Sequence, residues 1–443
     1  MVNLGSPYQG YLYAYPHKTA YRPLDPRPRL ADVWAGEDTG ALFLYAHVPF
    51  CEMRCGFCNL FTRANPPEGQ VAAYLAQLRR QARRVAAAVP KARYTRAAIG
   101  GGTPTYLSAG QLTELFDLLE DATGADLRAV PMSVETSPAT ATADRLAVLV
   151  ERGSTRISIG VQSFLDAEAH AAGRPQRRAE VDRALAAIRA AGDADLNLDL
   201  IYGIPGQTRE TWEASLTAAL RWRPEELYLY PLYVRPMTGL GRRAEGGGDL
   251  RWDAQRLELY RHAAARLAEA GYEQLSMRQF RRRDAAAVEP AVEPARDGPG
   301  YCCQDDGMVG LGCGARSYTS ALHYSFDYAV GVRQVRGILD DYLSRPEEDF
   351  DAAEVGFALD GAEQRRRWLL KSLLRAEGLD AQRYLARFGT AVDDDFPALA
   401  RLRDAGYLDG HRLTAEGLAH SDAIGPWLIS AGVRAAMSGH VTR

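Results

Sequence analysis

Three cysteines within eight positions, Cys51-Glu-Met-Arg-Cys55-Gly-Phe-Cys58, are the residues most capable of chemistry. Soft thiolates select zinc or iron–sulfur clusters. Structural zinc needs a fourth ligand nearby, usually as two pairs, and His47 or a distant cysteine would have to supply it. A [4Fe–4S] cubane held entirely by protein takes four cysteines. Three on one short loop leave one iron open to a small molecule. The remaining cysteines, Cys302, Cys303 and Cys313, lie far downstream. Close-set cysteines in a reducing compartment favour metal binding over disulfides.

Composition narrows the class of partner. The 443 residues are 47% hydrophobic and 25% charged, ordinary for a globular protein. A net charge of −3 gives no reason to expect nucleic acid or an anionic membrane. The basic residues are nearly all arginine, with Lys18, Lys91 and Lys371 as the three lysines. No charged n-region with an apolar run opens the chain, and no stretch approaches the roughly 18 apolar residues of a membrane span. A cytoplasmic protein is expected.

The elements that must position the cysteines alternate between two periods. β-rich runs at Leu42–His47, Ala97–Ile99, Met132–Thr136, Arg156–Val161, Leu196–Tyr202 and Leu227–Tyr233 are separated by helical patterns. Val71, Tyr74, Leu75, Leu78, Ala82 and Val85 share one helical face, and Ser108-Ala-Gly-Gln111 has capping-box spacing. Six β–α repeats imply an α/β fold with parallel strands and helices outside, as an open doubly wound sheet or an incomplete barrel. Either form puts the active site at the C-terminal strand ends. The cysteine loop, Gly100–Pro104, Glu135, Gln162, Asp199 and Tyr233 all fall in or after successive strands. Polar residues converging on one rim predict a single site. Arg281–Gly300, with its repeated Val-Glu-Pro, is expected to be a mobile surface loop. Gly310–Ser317 is a Gly-rich turn, and Phe396–Leu408 with His411–Gly417 has the pattern of a small winged-helix module.

Tyr45-Ala-His-Val-Pro-Phe-Cys51 running into the triplet resembles the radical S-adenosylmethionine (SAM) signature. More narrowly, the chain resembles the HemN-like family of oxygen-independent coproporphyrinogen III oxidases. The likeness includes Gly100-Gly-Gly-Thr-Pro104, Ser158-Ile-Gly-Val-Gln-Ser-Phe164 and Asp199-Leu-Ile-Tyr-Gly-Ile-Pro205, and it runs from Tyr15-Pro16 to the C-terminal module. It implies a partial (βα)6 TIM-like barrel over 41–280, preceded by an extension at 1–40. After the loop at 281–300, it implies a core extension at 301–360 and a helical, winged-helix-like domain at 361–443.

The resemblance also implies cofactors. Cys51, Cys55 and Cys58 would hold the [4Fe–4S] cluster, whose open iron chelates one SAM and cleaves it to a 5′-deoxyadenosyl radical. Tyr45, Phe57, Gly101, Gly102, Thr103 and Glu135 match positions around that SAM. Gln162, Arg174, Asp199 and Tyr233 match positions bordering a second SAM. Arg174 suits a carboxylate, because its fork can bind one with two hydrogen bonds. A small-molecule substrate and an electron donor such as flavodoxin or ferredoxin complete the implied partners, with no nucleic acid and no membrane.

The reaction is weighed on departures from that pattern. The oxidase carries a fourth cysteine where this chain has Asn59-Leu60, and Met-Asp-His-Phe where it has Met277-Arg-Gln-Phe280. Haem chaperones of the family have Glu-Pro at Arg235-Pro236, and no His-Asn-x-x-Tyr-Trp segment is present. By elimination, the expectation is transfer of a SAM-derived methyl or methylene group to an sp2 carbon, as C-methylation or cyclopropanation. The alternatives are oxidase-type decarboxylation and haem chaperoning, the latter including binding of SAM without turnover. Tyr233, Cys302 and Cys303 are candidate catalytic residues. A thiol could give hydrogen to a radical adduct, although buried free cysteines more often pack. His323 and Tyr324 are either substrate contacts or core.

Overall fold

The computed structural model describes residues 2–242, 250–285, 303–304 and 307–439. The alternating segments form strands β1 (Leu42–Val48), β2 (Tyr94–Gly101), β3 (Met132–Thr136), β4 (Arg156–Gln162), β5 (Asp195–Tyr202) and β6 (Glu226–Pro231). Each lies parallel beside its predecessor. Their side chains are nearly continuous apolar runs, as strands covered on both faces require; Leu44, Val134, Ile157, Leu198 and Leu227 are all buried. A doubly wound sheet needs a reversal in strand order. The order here has none, so right-handed crossovers place all the connecting helices on one face. The result is an open, partial (βα)6 barrel.

The helices are α1 (Gln70–Ala88), α2 (Ala109–Thr123), α3 (Ala143–Glu151), α4 (Arg178–Ala191), α5 (Arg209–Arg221) and α6 (Leu250–Glu269). α1 buries Tyr74, Leu75, Leu78, Ala82 and Val85. The capping box at α2 is formed, with Ser108 Oγ accepting from the Gln111 amide and Gln111 Oε1 from the Ser108 amide. The sixth strand stops at Pro231 rather than at Tyr233, which therefore belongs to the loop beyond the rim.

The sheet continues past both edges of the barrel. β7 (Tyr272–Gln274) and β8 (Gln279–Arg282) add antiparallel strands beside β6. On the other edge β9 (Met308–Leu311) runs parallel to β1. β10 (Arg316–Tyr318), β11 (Leu322–Ser325) and β12 (Val355–Ala358) follow as an antiparallel meander, and Arg22–Pro23 pairs with β12. All thirteen strands form one open sheet, so the strands between Met308 and Ala358 extend the barrel sheet. The expected loop 281–300 begins in β8, and its residues from 286 on lie outside the described ones.

A second core is formed by the C-terminal helices, where Leu369, Leu373, Tyr384, Leu399 and Val433 pack with Leu4, Leu12 and Tyr15. A hairpin of Leu408–Asp409 and Arg412–Leu413 follows helix Leu399–Asp404 and precedes helix Ala415–Ala419, the small winged arrangement. The N-terminal extension, 1–40, packs on the barrel core and on the C-terminal core. Tyr8 belongs to the first and Leu4, Leu12 and Tyr15 to the second, so the extension straps the two together. Among the described residues no helix is long and apolar enough to cross a membrane.

Candidate functional site

At the C-terminal rim of β1 to β6 a cavity of ≈ 970 Å3 collects residues from every layer of the molecule. The cysteine loop forms its floor. After β1 the chain makes a short strand, Phe50–Cys51, paired with Arg63–Ala64. It is fastened to the loop after β2, where Gly102 donates to the Val48 carbonyl at 2.7 Å and Thr103 to that of Phe50 at 2.8 Å. A Cβ on Gly102 would stand 2.5 Å from the Phe50 oxygen, so only glycine allows this approach. Gly56 meets Gly173 in the same way, with a backbone hydrogen bond of 3.0 Å.

The three thiols all line the cavity. The Thr103 hydroxyl lies 3.6 Å from Cys51 Sγ, Thr62 Oγ1 3.9 Å from Cys58 Sγ, and an Arg174 Nη 3.8 Å from Cys55 Sγ. Burial pushes the Cys51 and Cys55 thiols up, and the Arg174 charge partly offsets this at Cys55. Among the described residues no three His, Cys, Asp or Glu side chains gather closely enough for a single ion. His47 is occupied elsewhere, with Nε2 against the Phe61 carbonyl at 3.1 Å and Nδ1 against the Tyr45 hydroxyl at 3.2 Å. Three free thiols spread around one open space fit a multi-iron cluster better than a zinc ion.

Every residue matched to SAM by resemblance lines the same cavity: Tyr45, Phe57, Gly101, Gly102, Thr103, Glu135, Gln162, Arg174, Asp199 and Tyr233. Glu135 reaches into the cavity and accepts from the Gly101 amide at 3.1 Å. Removal from bulk water, with Asp199 as a second negative charge, raises its carboxyl to about 7. Asp199 rises to about 6 for the first of these reasons, while the Asn197 amide, 2.7 Å away, pulls the other way. Gln162 takes a left-handed backbone (φ 68°) at an irregularity in the β4–β5 register, a strained position of the kind found at ligand sites. Arg174 Nε donates to Gln176 Oε1 at 2.8 Å.

Tyr233 lines the cavity, but its hydroxyl is taken by Asp422 of the C-terminal domain. Cys302 lies outside the described residues. Cys303 does not reach the cavity and sits in an apolar cluster with Ala14, Tyr45, Met308 and Tyr318, as packing rather than chemistry would place it. His323 and Tyr324 are core: His323 bonds to Arg367 at 3.2 Å, and the Tyr324 hydroxyl accepts from the Trp34 indole at 2.9 Å. Arg278 is also buried, paired with Asp422 and stacked 3.8 Å from the Tyr11 ring centre. Cavity residues that sequence reasoning missed come from the two ends of the chain and the meander, among them Tyr13, Lys18, Arg316, Tyr328 and Arg434. No spacing pattern marks them, because each belongs to an element that turns back onto the barrel.

A family model of the radical SAM superfamily matches residues 45–219. Over that span, which holds the cysteine loop, the glycine turn and the rim carboxylates, the chain is similar to the radical SAM superfamily. An oxygen-independent coproporphyrinogen III oxidase from Pseudomonas aeruginosa is 28% identical over 88% of this chain and 83% of its own. The haem chaperone HemW of Bacillus subtilis is 27% identical over 88% and 95%. The solved coproporphyrinogen III oxidase HemN of Escherichia coli has the same fold, with a TM-score of 0.74 at 24% identity over 89% of this chain and 92% of that one.

These relatives overturn the expectation of methyl or methylene transfer: they match 85–88% of this chain and are oxygen-independent coproporphyrinogen III oxidases and a haem chaperone. The elimination failed because it read Arg278 and Gln279 as lost acid–base chemistry. Arg278 instead ties the barrel to the C-terminal domain. The superfamily's cofactors, a [4Fe–4S] cluster and SAM, fit the three thiols and the polar rim around them.

Proposed function

We propose that this chain is a HemN-type radical SAM oxidoreductase that oxidatively decarboxylates the propionate side chains of a porphyrinogen of the coproporphyrinogen III class. The observation that carries the reading is the joining, in one cavity large enough for a tetrapyrrole, of the cysteine floor and a cationic wall of Lys18, Arg235, Arg316 and Arg434. A substrate with several carboxylates matches that wall, and the near-full-length oxidase relatives support it.

Cys51, Cys55 and Cys58 hold the cluster in this reading, and the chemistry that it and SAM supply when bound is hydrogen-atom abstraction after one-electron cleavage of SAM. Gly101, Gly102, Thr103 and Glu135 would hold the first SAM, and Gln162, Arg174 and Asp199 would hold a second, with Arg174 suited to a carboxylate. Each propionate that becomes a vinyl group would lose one hydrogen atom to the radical derived from SAM, one electron to an external one-electron acceptor, and carbon dioxide. The cationic wall orients the carboxylate that leaves, and the enclosed rim keeps water from the reacting carbon. A flavodoxin or ferredoxin in the cytoplasm delivers the electron to the cluster.

The test is anaerobic incubation of the iron-reconstituted protein with reductant, SAM and coproporphyrinogen III. Porphyrins are followed by fluorescence-detected chromatography and 5′-deoxyadenosine by mass spectrometry. Mono- and divinyl products formed together with 5′-deoxyadenosine are expected. Intact substrate alongside active SAM cleavage refutes the substrate. Tight haem binding without SAM cleavage replaces the oxidase reading with a haem chaperone of the HemW kind.

A further inference from the structure

Two neighbouring cations in the cavity, Lys18 and Arg316, stand against aromatic rings rather than carboxylates. Lys18 comes from the short helical turn Lys18–Ala20 of the N-terminal strap, and its Nζ stands 3.3 Å above the Tyr328 ring centre. Arg316 comes from β10, donates to the Tyr13 hydroxyl at 2.5 Å and lies 4.8 Å from that ring's centre, while its buried Nε has no hydrogen-bond partner. The two cations repel one another, and burial with that repulsion holds the Lys18 ammonium well below its ordinary range. The Tyr328 hydroxyl donates to the Asn59 carbonyl at 2.6 Å, next to Cys58.

Of the cavity's other cations, Arg278 is held by Asp422, Arg174 by Gln176 and Cys55, and Arg434 by the Pro426 carbonyl, while Arg235 lies 4.7 Å from the Tyr233 ring centre. The cavity carboxylates are engaged as well, Glu52 by Ser137, Glu135 by the Gly101 amide and Asp199 by Asn197. Buried charge persists when something neutralises it. Among the described residues no carboxylate does so for Lys18 or Arg316, although at Lys18 the Cys58 thiol works in that direction.

The geometry points to an anion subsite formed by Lys18 and Arg316 between Tyr13 and Tyr328, beside Cys58, that holds a carboxylate of the substrate. Arg316 offers its guanidinium to one carboxylate oxygen and Lys18 a mobile ammonium to the other. The tyrosine rings wall the pair from water, which strengthens the contact. Only the identity of the carboxylate's owner rests on the proposed function; the subsite itself does not. The subsite fixes one acidic arm of the substrate against the cluster loop.

The experiment uses the anaerobically reconstituted holoenzyme and calorimetric titration with three probes: glutarate as a small dicarboxylate, coproporphyrin III as a stable tetracarboxylate, and SAM. Glutarate and coproporphyrin III should bind saturably. Both should weaken roughly ten- to hundredfold in Lys18→Met and in Arg316→Leu, as loss of a charge-assisted contact implies. Arg316→Lys should restore most of the affinity, and SAM binding and iron content should not change. Equal glutarate affinity in the wild type and both single variants, or no saturable glutarate binding, overturns the subsite. If Arg316→Leu fails to take up iron, Lys18→Met alone decides. Weakened SAM with unchanged porphyrin affinity assigns the carboxylate to SAM and overturns the substrate assignment. Glutarate binding that depends on both residues, with coproporphyrinogen III left unconverted, keeps the subsite and refutes the substrate proposed above.

Discussion

At the scale of single residues, Arg174 shows how far a spatial neighbour departs from a sequence neighbour. It stands 119 positions from Cys55 and 3.8 Å from its sulfur, so sequence distance is no reason for cluster assembly to ignore it. Arg174→Ala removes the cation that favours the Cys55 thiolate as well as a candidate SAM contact. Iron loading, followed by thiolate-to-iron absorbance, should slow. SAM affinity should fall about ten- to hundredfold. Full loading at the wild-type rate would count against the first effect.

Glu135 carries the clearest pH signature. Its carboxyl is raised to about 7, by burial first and Asp199 second, so the folded apo-protein binds a proton that the unfolded chain has already released. A raised carboxyl favours folding least when it is charged: its cost is absent below the unfolded value, grows as pH rises from about 4.5, and is complete above 7. Glu135→Gln should therefore raise the apo-protein's melting temperature at pH 8 and leave it unchanged near pH 4. SAM binding should be lost in the same variant. A melting curve insensitive to the substitution at pH 8 would contradict this assignment of charge.

At the scale of elements, the cysteine loop is held in part by close backbone contacts between glycines. Gly56 lies between Gly173 and Gly239, donating to the Gly173 carbonyl and accepting from the Leu240 amide at 2.8 Å. Gly173 has φ +70°, and a Cβ there would stand 2.7 Å from the Gly56 Cα. Gly173→Ala costs roughly 1–2 kcal/mol for the left-handed backbone alone, and the collision must move the loop. Circular dichroism should show the fold retained while iron content per chain falls by more than half (an order-of-magnitude expectation from a displaced ligand loop). A variant with a full complement of iron would mean that the loop is supported elsewhere.

Across the whole molecule, the cavity closes through one buried carboxylate. Asp422 of the C-terminal helices accepts from Tyr233 and Arg278 of the barrel, and its own carbonyl accepts from Gly10 of the N-terminal strap at 3.2 Å. Asp422 and Arg278 are 2% and 3% exposed, so neither charge has water as an alternative partner. Asp422→Ala strands the guanidinium, and chemical denaturation should report a loss of roughly 3–5 kcal/mol. Replacing both partners by apolar residues, Arg278→Met with Asp422→Leu, should recover much of that loss. If the single variant is as stable as wild type, the junction between domains does not depend on this pair.

Local pattern determined a large part of this protein. Three thiols at C-x3-C-x2-C spacing name a soft-metal loop, because softness and ligand count belong to the side chains themselves. The six apolar runs and the helical faces between them named the parallel strands, because burial on both faces leaves a signature within each segment. The ten SAM candidates meet in one cavity because βα repeats send every strand end to the same rim. Tertiary structure alone decided what stands opposite that rim. The strap, the meander and the C-terminal helices bring Lys18, Arg316 and Asp422 into contact with residues hundreds of positions away, and no period or spacing encodes such contacts. The same limit misled the reading of Arg278, whose partner Asp422 lies 144 positions downstream. Its charge looked like missing catalysis until folding showed it to be a tie between domains.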